Sequence, residues 1–226
     1  MLKCLLPILC FAGLGVHSLA AADIKNYDVF LIPSTDLDKT IDDVSGKLKE
    51  FGIESLAAQG FKPHITLYLT EYPQSALDEL KSAVEAIATG WQPFSVEITE
   101  LSQTRDDWLM LTVAPDDELQ KLSNDIVNTV SNFRNPTPAL PSWVNSYPEK
   151  LATFEKYGSP NVFDNFTPHV TLLPKTDHAK LGLFMEKYGE TISNKEIKAL
   201  GIGIAEADSN GQTKNILATY HFGSQN

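Results

Sequence analysis

The sequence predicts an α+β fold of two pseudo-symmetric lobes from an internal duplication, each an antiparallel-rich sheet flanked by helices, with a central cleft. Short runs of β-branched and aromatic residues alternate with longer amphipathic stretches, a pattern typical of mixed strands and helices. The stretch FKPHITLYL (61–69) recurs without a gap as FTPHVTLLP (166–174). Each copy is followed by one helical pattern and two strand patterns, so a duplicated unit explains the order of elements.

Two elements precede the first copy. YDVFLIP (27–33) is predicted as a strand from its β-branched and aromatic content. The stretch 34–51 is predicted as an amphipathic helix, because its apolar residues recur at steps of three and four. The apolar stripe is Leu37, Ile41, Val44, Leu48 and Phe51, and the N-cap candidates are Ser34, Thr35 and Asp36.

The first copy begins a unit of four predicted elements. HITLYLT (64–70) is a strand, and 75–89 is a helix that ends before Gly90. FSVEIT (94–99) and DWLMLTV (107–113) are the two strands that follow.

A helix and an irregular insert separate this unit from the second copy. The helix is predicted over 116–133 from its apolar periodicity. The insert, 134–165, is rich in proline and aromatic residues and is predicted as a long ordered loop with one short helix at PEKLATFEKY (148–157). Loops of this length in compact domains often cover or border a site.

The second copy resumes the regular pattern. HVTLLP (169–174) is predicted as a strand and 177–189 as a helix. EIKALGIGIAEA (196–207) and KNILATYHFG (214–223) are strands joined by the turn DSNGQ (208–212). The element pattern of the first copy is thereby repeated.

The N-terminal segment, 1–22, reads as a secretory signal peptide with an early Lys3, an apolar run and small residues at its end. We therefore expect a secreted or periplasmic protein with one domain over 23–226. Lipidation at Cys10 is disfavoured, because the bulky Leu9 precedes it. Cys4 and Cys10 are the only cysteines, so the mature chain would have neither disulfides nor thiol ligands.

The charge of the chain limits its partners. The formal net charge is −11 at pH 7, which repels a long polyanion and argues against nonspecific nucleic-acid binding. A small phosphate ester can still bind to a local cluster of donors. No second apolar run follows the signal segment, so we expect no stable membrane association and a monomer.

The repeated stretch contains the predicted chemistry. Residues two apart on a strand share a face, so His64 lies beside Thr66, and His169 lies beside Thr171. If a pseudo-twofold axis relates the lobes, the two pairs meet across the cleft. One imidazole can then take a proton from an attacking oxygen while the other gives one to a leaving oxygen. The threonine hydroxyls are placed to bind the phosphate oxygens.

The chain has two elements of the form H-h-[ST]-h, where h is an apolar residue. They lie about a hundred residues apart, and each is preceded by proline and lies on a predicted strand of a duplicated chain. This pattern resembles the two-histidine (2H) phosphoesterase superfamily, which includes LigT-like RNA 2',3'-cyclic phosphodiesterases. The resemblance implies a bilobal fold and hydrolysis of a cyclic phosphate or phosphodiester without a metal or other cofactor. It implies a small nucleotide or RNA-end phosphodiester as substrate. His64 and His169 match the catalytic residues, and Thr66 and Thr171 match the phosphate-binding hydroxyls.

Further residues are candidates for substrate binding. Lys62 and Tyr68 lie an even number of residues from His64 and Thr66, so they are predicted to share their face of the strand and to face the cleft. Lys62 would then contact a phosphate, and Tyr68 would offer a stacking surface. Exposure at a strand end is an alternative explanation for Lys62. The aromatic candidates for a substrate wall, which are otherwise core residues, are Trp108, Trp143 and Phe166.

Several alternatives remain open at this level. Zinc binding by the two motif histidines lacks a third ligand at suitable spacing. His178 and His221 are interpreted as surface or structural residues, and Asn165 as a weak match to a glycosylation acceptor. A serine hydrolase is disfavoured by the lack of a G-x-S-x-G motif. A non-catalytic nucleotide-binding or interaction module on the same fold remains the main alternative to an enzyme.

Overall fold

The structure is a computed structural model that describes residues 23–192 and 194–223. The predicted signal peptide, 1–22, lies outside the described residues. Within the described part, no helix is both long and apolar enough to span a membrane.

The strands lie where the sequence predicts them, with small differences at their ends. The described strands are β1 (Ile24–Pro33), β2 (Ile65–Pro73), β3 (Phe94–Gln103), β4 (Leu109–Val113), β5 (His169–Leu173), β6 (Lys195–Ala207) and β7 (Thr213–His221). The predicted α+β class with antiparallel strands and flanking helices is confirmed.

The helices also match the predicted positions. They are α1 (Asp36–Lys49), α2 (Leu77–Thr89), α3 (Asp117–Val130), α4 (Leu151–Tyr157) and α5 (His178–Tyr188). Asp116 and Asp177 cap α3 and α5, because each carboxylate accepts a hydrogen bond from a backbone N–H of the first turn. Thr35 is at the N-cap of α1, but its side chain makes no capping hydrogen bond. The short helix predicted in the insert is α4, preceded by a 3-10 turn at Pro148–Lys150.

The strands form one seven-stranded sheet in which every pairing is antiparallel, in the order β2-β1-β6-β3-β4-β5 with β7 also paired to β6. The long strand β6 joins the two lobes. Its first residues, 195–199, pair with β3, and its later residues pair with β1 and β7. The sheets of the two lobes are therefore continuous through β6.

The internal repeat is visible in the pairing. Each motif strand pairs with the strand that precedes it in the chain: β2 with β1, and β5 with β4. The next neighbours are β6, from the other half of the chain, beside β1, and β3 beside β4. Helices α2 and α3 contact each other, as do α1 and α5. Each lobe thus combines strands from both halves of the chain, which ties the two motifs to one structure.

A glycine on β6 makes room for an aromatic ring near the first motif. Gly203 lies opposite Phe30 on β1, and a Cβ at position 203 would lie 2.2 Å from Phe30 Cζ. The Phe30 ring in turn packs edge-on against the His64 ring, with centroids 5.7 Å apart. Gly203 therefore sets the position of the ring that supports His64.

We expect Gly203→Ala to destabilise the protein by about 1–3 kcal/mol, because the added methyl group overpacks the Phe30 ring. Urea unfolding at equilibrium measures this change. Gly46→Ala is the matched control, since a Cβ there meets nothing within 4 Å and position 46 lies inside a helix. The control is expected to be neutral or stabilising by about 0.5–1 kcal/mol. Equal free energies of unfolding for the Gly203→Ala and wild-type proteins would contradict the packing argument.

Candidate active site

The two histidine motifs meet because the sheet brings its ends together. Strands β2 and β5 are the two ends of the sheet order, yet their Cα atoms come within 8 Å of each other. His64 lies directly before β2, and His169 is the first residue of β5. Each imidazole affects the other electrostatically, since the charge of His64 lowers the pKa of His169. The predicted juxtaposition of the two motifs is present in the structure.

Equivalent backbone contacts orient the two imidazoles. Nδ1 of His64 lies 2.6 Å from the carbonyl oxygen of Lys62, and Nδ1 of His169 lies 2.7 Å from that of Thr167. A carbonyl oxygen only accepts hydrogen bonds, so Nδ1 carries the proton in both rings. Nε2 is therefore the nitrogen that each ring can use for chemistry.

The surroundings of His64 favour its imidazolium form. Its side chain is 6% exposed, and Nε2 lies 3.0 Å from Oδ2 of the fully buried Asp28. Burial by itself lowers the pKa of His64, but the hydrogen bond and charge of Asp28 raise it above its ordinary value, helped by the backbone carbonyls of Lys62 and Gly211. Both ring nitrogens face acceptors, so both carry protons.

The surroundings of His169 favour its neutral form. Its side chain is half-buried, and burial lowers the pKa of the imidazole below its ordinary value. The hydrogen bond to the Thr167 carbonyl opposes this effect, while the positive charges of His64 and Lys150 add to it. Two imidazoles with equivalent backbone contacts thus have opposite protonation preferences, which is the arrangement that acid–base catalysis uses.

The threonines differ in their surroundings. The Thr66 hydroxyl donates a hydrogen bond of 3.0 Å to Asp28 Oδ2, the same oxygen that faces His64. Thr171 is half-buried and lines a small pocket together with Lys62 and Gln212. The Lys62 side chain is exposed at this pocket, whose lining includes neither His64 nor His169, so its predicted phosphate contact stays a prediction.

The prediction that Tyr68 faces the cleft is wrong. The pairing of β1 with β2 shifts register between Val29 and Phe30: Tyr68 lies opposite Val29, whereas Thr66 lies opposite Phe30. Val29 and Phe30 are consecutive and point to opposite faces, so Tyr68 and Thr66 do as well. Tyr68 is fully buried and its hydroxyl donates to the backbone oxygen of Tyr157. Its ring therefore offers no stacking surface.

The insert borders the second motif. Lys150, directly before α4, lies 2.5 Å from Asn161 Oδ1 and 3.5 Å from the hydroxyl of Thr167, two residues before His169. Burial lowers the pKa of this lysine, and its Nζ lies 6.0 Å and 5.7 Å from the ring centroids of Trp143 and Tyr147. The insert thereby brings a cation beside His169. The irregular sequence of the insert gave no periodicity from which to predict this.

The other aromatic candidates have different surroundings. Trp108 is half-buried in the turn before β4, where its backbone N–H is bonded to the Thr104 hydroxyl. Phe166 is half-buried and packs against the hydrophobic core. Trp143 lies beside Lys150, whose Nζ is 6.0 Å from the centroid of its ring.

Asp28 is the site residue that the sequence analysis missed. It is the one carboxylate in YDVFLIP, an otherwise apolar and aromatic strand. A charged residue inside such a strand is seldom fully buried without a partner, and that rarity is the signal that identifies it. Its two partners are His64 and Thr66.

The remaining polar candidates lie on the surface or have structural partners. His178 is exposed, and its Nδ1 lies 2.8 Å from Asp107 Oδ1. His221 is exposed at the end of β7. The amide of Asn165 donates to the Thr153 hydroxyl. Among residues 23–192 and 194–223, no three His, Cys, Asp or Glu side chains cluster as a metal site would require.

Known proteins resemble this chain in sequence pattern and in fold. The family model of the 2'-5' RNA ligase superfamily matches residues 33–198, a range that contains both histidine motifs. No curated protein sequence matches the chain.

Solved structures share the fold at low identity. TT0787 of Thermus thermophilus is 13% identical with a TM-score of 0.54, over 89% of this chain and 100% of that one. E. coli LigT complexed with 3'-AMP is 14% identical with a TM-score of 0.54, again over 89% and 100%. LigT complexed with phosphate is 14% identical with a TM-score of 0.54, over 90% and 100%.

The family match spans most of the chain, and the paired His-x-Thr motifs within it meet in one site. Membership supports phosphodiester chemistry and RNA-end processing in general terms. The chain belongs to the 2'-5' RNA ligase superfamily, the two-histidine phosphoesterases.

Proposed function

We propose that this protein is an exported, metal-independent phosphodiesterase that hydrolyses a 2',3'-cyclic phosphate or a similar small nucleotide or RNA-end phosphodiester. The observation that carries the proposal is the pair of adjacent imidazoles in unlike surroundings: Asp28 beside His64 raises the pKa of that ring, and burial lowers the pKa of His169. Such a pair supplies the acid and the base of one in-line displacement.

The proposed reaction assigns one proton transfer to each ring. Nε2 of His169 takes a proton from water as the water oxygen bonds to phosphorus. Nε2 of His64 gives its proton to the ribose oxygen as the bond from that oxygen to phosphorus breaks. The hydroxyls of Thr66 and Thr171 donate to the nonbridging oxygens, where negative charge accumulates. The product is a phosphomonoester, and proton exchange with solvent restores both imidazoles.

The substrate class and the location of the protein rest on separate supports. LigT, which shares the fold, has been crystallised with 3'-AMP and with phosphate, and these are anions of the product class. The net charge of −11 favours small substrates over long nucleic acids. The support for export is the composition of 1–22, with its early lysine, apolar run and small residues.

A non-catalytic nucleotide-binding module is the second candidate. The observation that favours it is the hydrogen bond between His64 Nε2 and Asp28. In that bond, the proton that the proposed reaction would transfer is already donated to Asp28. A binding module needs the cleft and its donors but no free proton.

A panel of substrates tests the proposal. We would assay 2',3'-cyclic nucleotides and 2',5'- and 3',5'-linked dinucleotides in excess EDTA, and identify the products by phosphorus-31 NMR. We expect at least one diester to be hydrolysed at the same rate with and without EDTA. Activity that EDTA abolishes and zinc or manganese restores would contradict the metal-independent mechanism. Binding of these nucleotides without hydrolysis would favour the binding module.

A further inference from the structure

Asp28 is the buried charge next to the two motifs that the proposed reaction does not use. It lies on β1, is fully buried, and precedes the range that matches the family model, which begins at residue 33. Nothing in the H-x-T motifs therefore accounts for its presence.

The register shift in β1 and β2 places this carboxylate in the site. Asp28 and Phe30 are two residues apart on β1 and share a face, and Phe30 lies opposite Thr66. Oδ2 of Asp28 lies 3.0 Å from His64 Nε2 and 3.0 Å from Thr66 Oγ1. Oδ1 is buried and has no hydrogen-bond partner among the described side chains and backbone. One oxygen of Asp28 thus accepts from both polar groups of the first motif.

These two donors are the ones that the proposed reaction directs at the substrate: His64 at the ribose oxygen bonded to phosphorus, and Thr66 at a nonbridging oxygen. Asp28 Oδ2 is an anionic oxygen that lies 3.0 Å from His64 Nε2 and 3.0 Å from the Thr66 hydroxyl. These are the contacts expected of a phosphate oxygen in this half of the site. A phosphate oxygen and Asp28 Oδ2 cannot occupy this position together, because they would overlap and because both are negative.

We propose that the Asp28 carboxylate is an internal competitor of the substrate, holding the anion position between His64 and Thr66 until the phosphate of the substrate displaces it. This inference rests on the proposed function for the identity of the displacing anion. Displacement frees the Nε2–H of His64, so the general acid becomes able to donate only when a phosphate is in place. The competition also weakens the binding of every phosphate ligand, product included.

The variant Asp28→Asn tests the proposal, because it keeps the size of the side chain and removes its charge. The probes are methylphosphonate and inorganic phosphate, which have no ester bond for this reaction to cleave. Carbon-13 NMR of the histidine rings would first identify a pH at which His64 is protonated in both proteins, so that only the charge at position 28 differs. We expect both probes to bind Asp28→Asn about tenfold or more tightly than the wild type, since a competing negative charge is removed.

Two further variants serve as controls. Asp107→Asn removes the carboxylate from the exposed imidazole–carboxylate pair with His178, and we expect it to leave the affinity for both probes unchanged. Thr66→Val in the Asp28→Asn background removes one of the two donors, and we expect it to reverse most of the gain.

A crystal structure of the wild-type protein with inorganic phosphate gives a second measurement that needs no variant to fold. We expect a phosphate oxygen within hydrogen-bond distance of His64 Nε2 and Thr66 Oγ1, with the Asp28 carboxylate turned away. A bound phosphate beside an intact Asp28–His64 bond would overturn the proposal, as would equal or weaker probe binding by Asp28→Asn. Because neither probe is hydrolysed, a substrate panel without turnover would reject the proposed function and leave this result standing.

Discussion

Replacing His169 by alanine is expected to lower turnover by about 10²–10⁴-fold, the usual contribution of a positioned proton-transfer group. His64→Ala is expected to fall in the same range, because each imidazole performs one of the two proton transfers. Since the two transfers belong to one displacement, the double variant is expected to lose little more than the worse single variant. Steady-state kinetics on the best diester of the substrate panel measures all three.

Three controls make this comparison specific. His221→Ala removes an exposed histidine at the end of β7 and is expected to leave turnover unchanged. Thr171→Val is expected to be milder than either histidine variant, because it removes a hydroxyl and leaves both proton transfers. His64→Ala also leaves the buried Asp28 without its imidazole partner, so its fold must be checked by circular dichroism. A folded His64→Ala protein with most of its activity would remove this residue from the mechanism and favour the binding module.

The pH dependence of kcat/KM, which reports the free enzyme with Asp28 still beside His64, is expected to be a bell whose two limbs belong to different histidines. His169 must be neutral to act as base, so the rate rises as pH rises through its pKa, which burial holds below the ordinary value of about 6.5. His64 must be protonated to act as acid, so the rate falls as pH rises through its pKa, which Asp28 holds above that value. The maximum therefore lies near neutral pH, and the rate changes about tenfold per pH unit on each outer limb.

Measuring kcat/KM from about pH 4 to pH 10 for the wild type and both single variants assigns the limbs, since this range covers both sides of an unperturbed imidazole. We expect His169→Ala to lose the acidic limb and His64→Ala to lose the alkaline limb in their residual activity. The wild-type limbs report macroscopic values of the coupled pair, whereas each variant reports the remaining group. Variants that keep both limbs, or that lose the opposite ones, would reverse or reject the assignment of acid and base.

The sequence was sufficient to predict the α+β class, the positions of the strands and helices, and the paired His-x-Thr motifs. Each of these depends on local information. The stripe of α1 follows a helical period, β2 and β5 follow a strand period, and the repeat of the two motifs is visible by direct alignment. The short helix of the insert was also predicted from its local pattern.

The tertiary structure alone decided how these parts are combined. The register shift between Val29 and Phe30 places Tyr68 in the interior. Strict alternation along the strand would have placed it on the same face as Thr66. It also places Asp28 beside His64, although the two are far apart in the chain. Burial and neighbouring charge then shift the pKa values of the two imidazoles in opposite directions, that of His64 upward and that of His169 downward, although their sequence contexts are nearly the same. Strand register and electrostatic environment depend on which distant segments pack together, and the pattern within one strand does not contain that information.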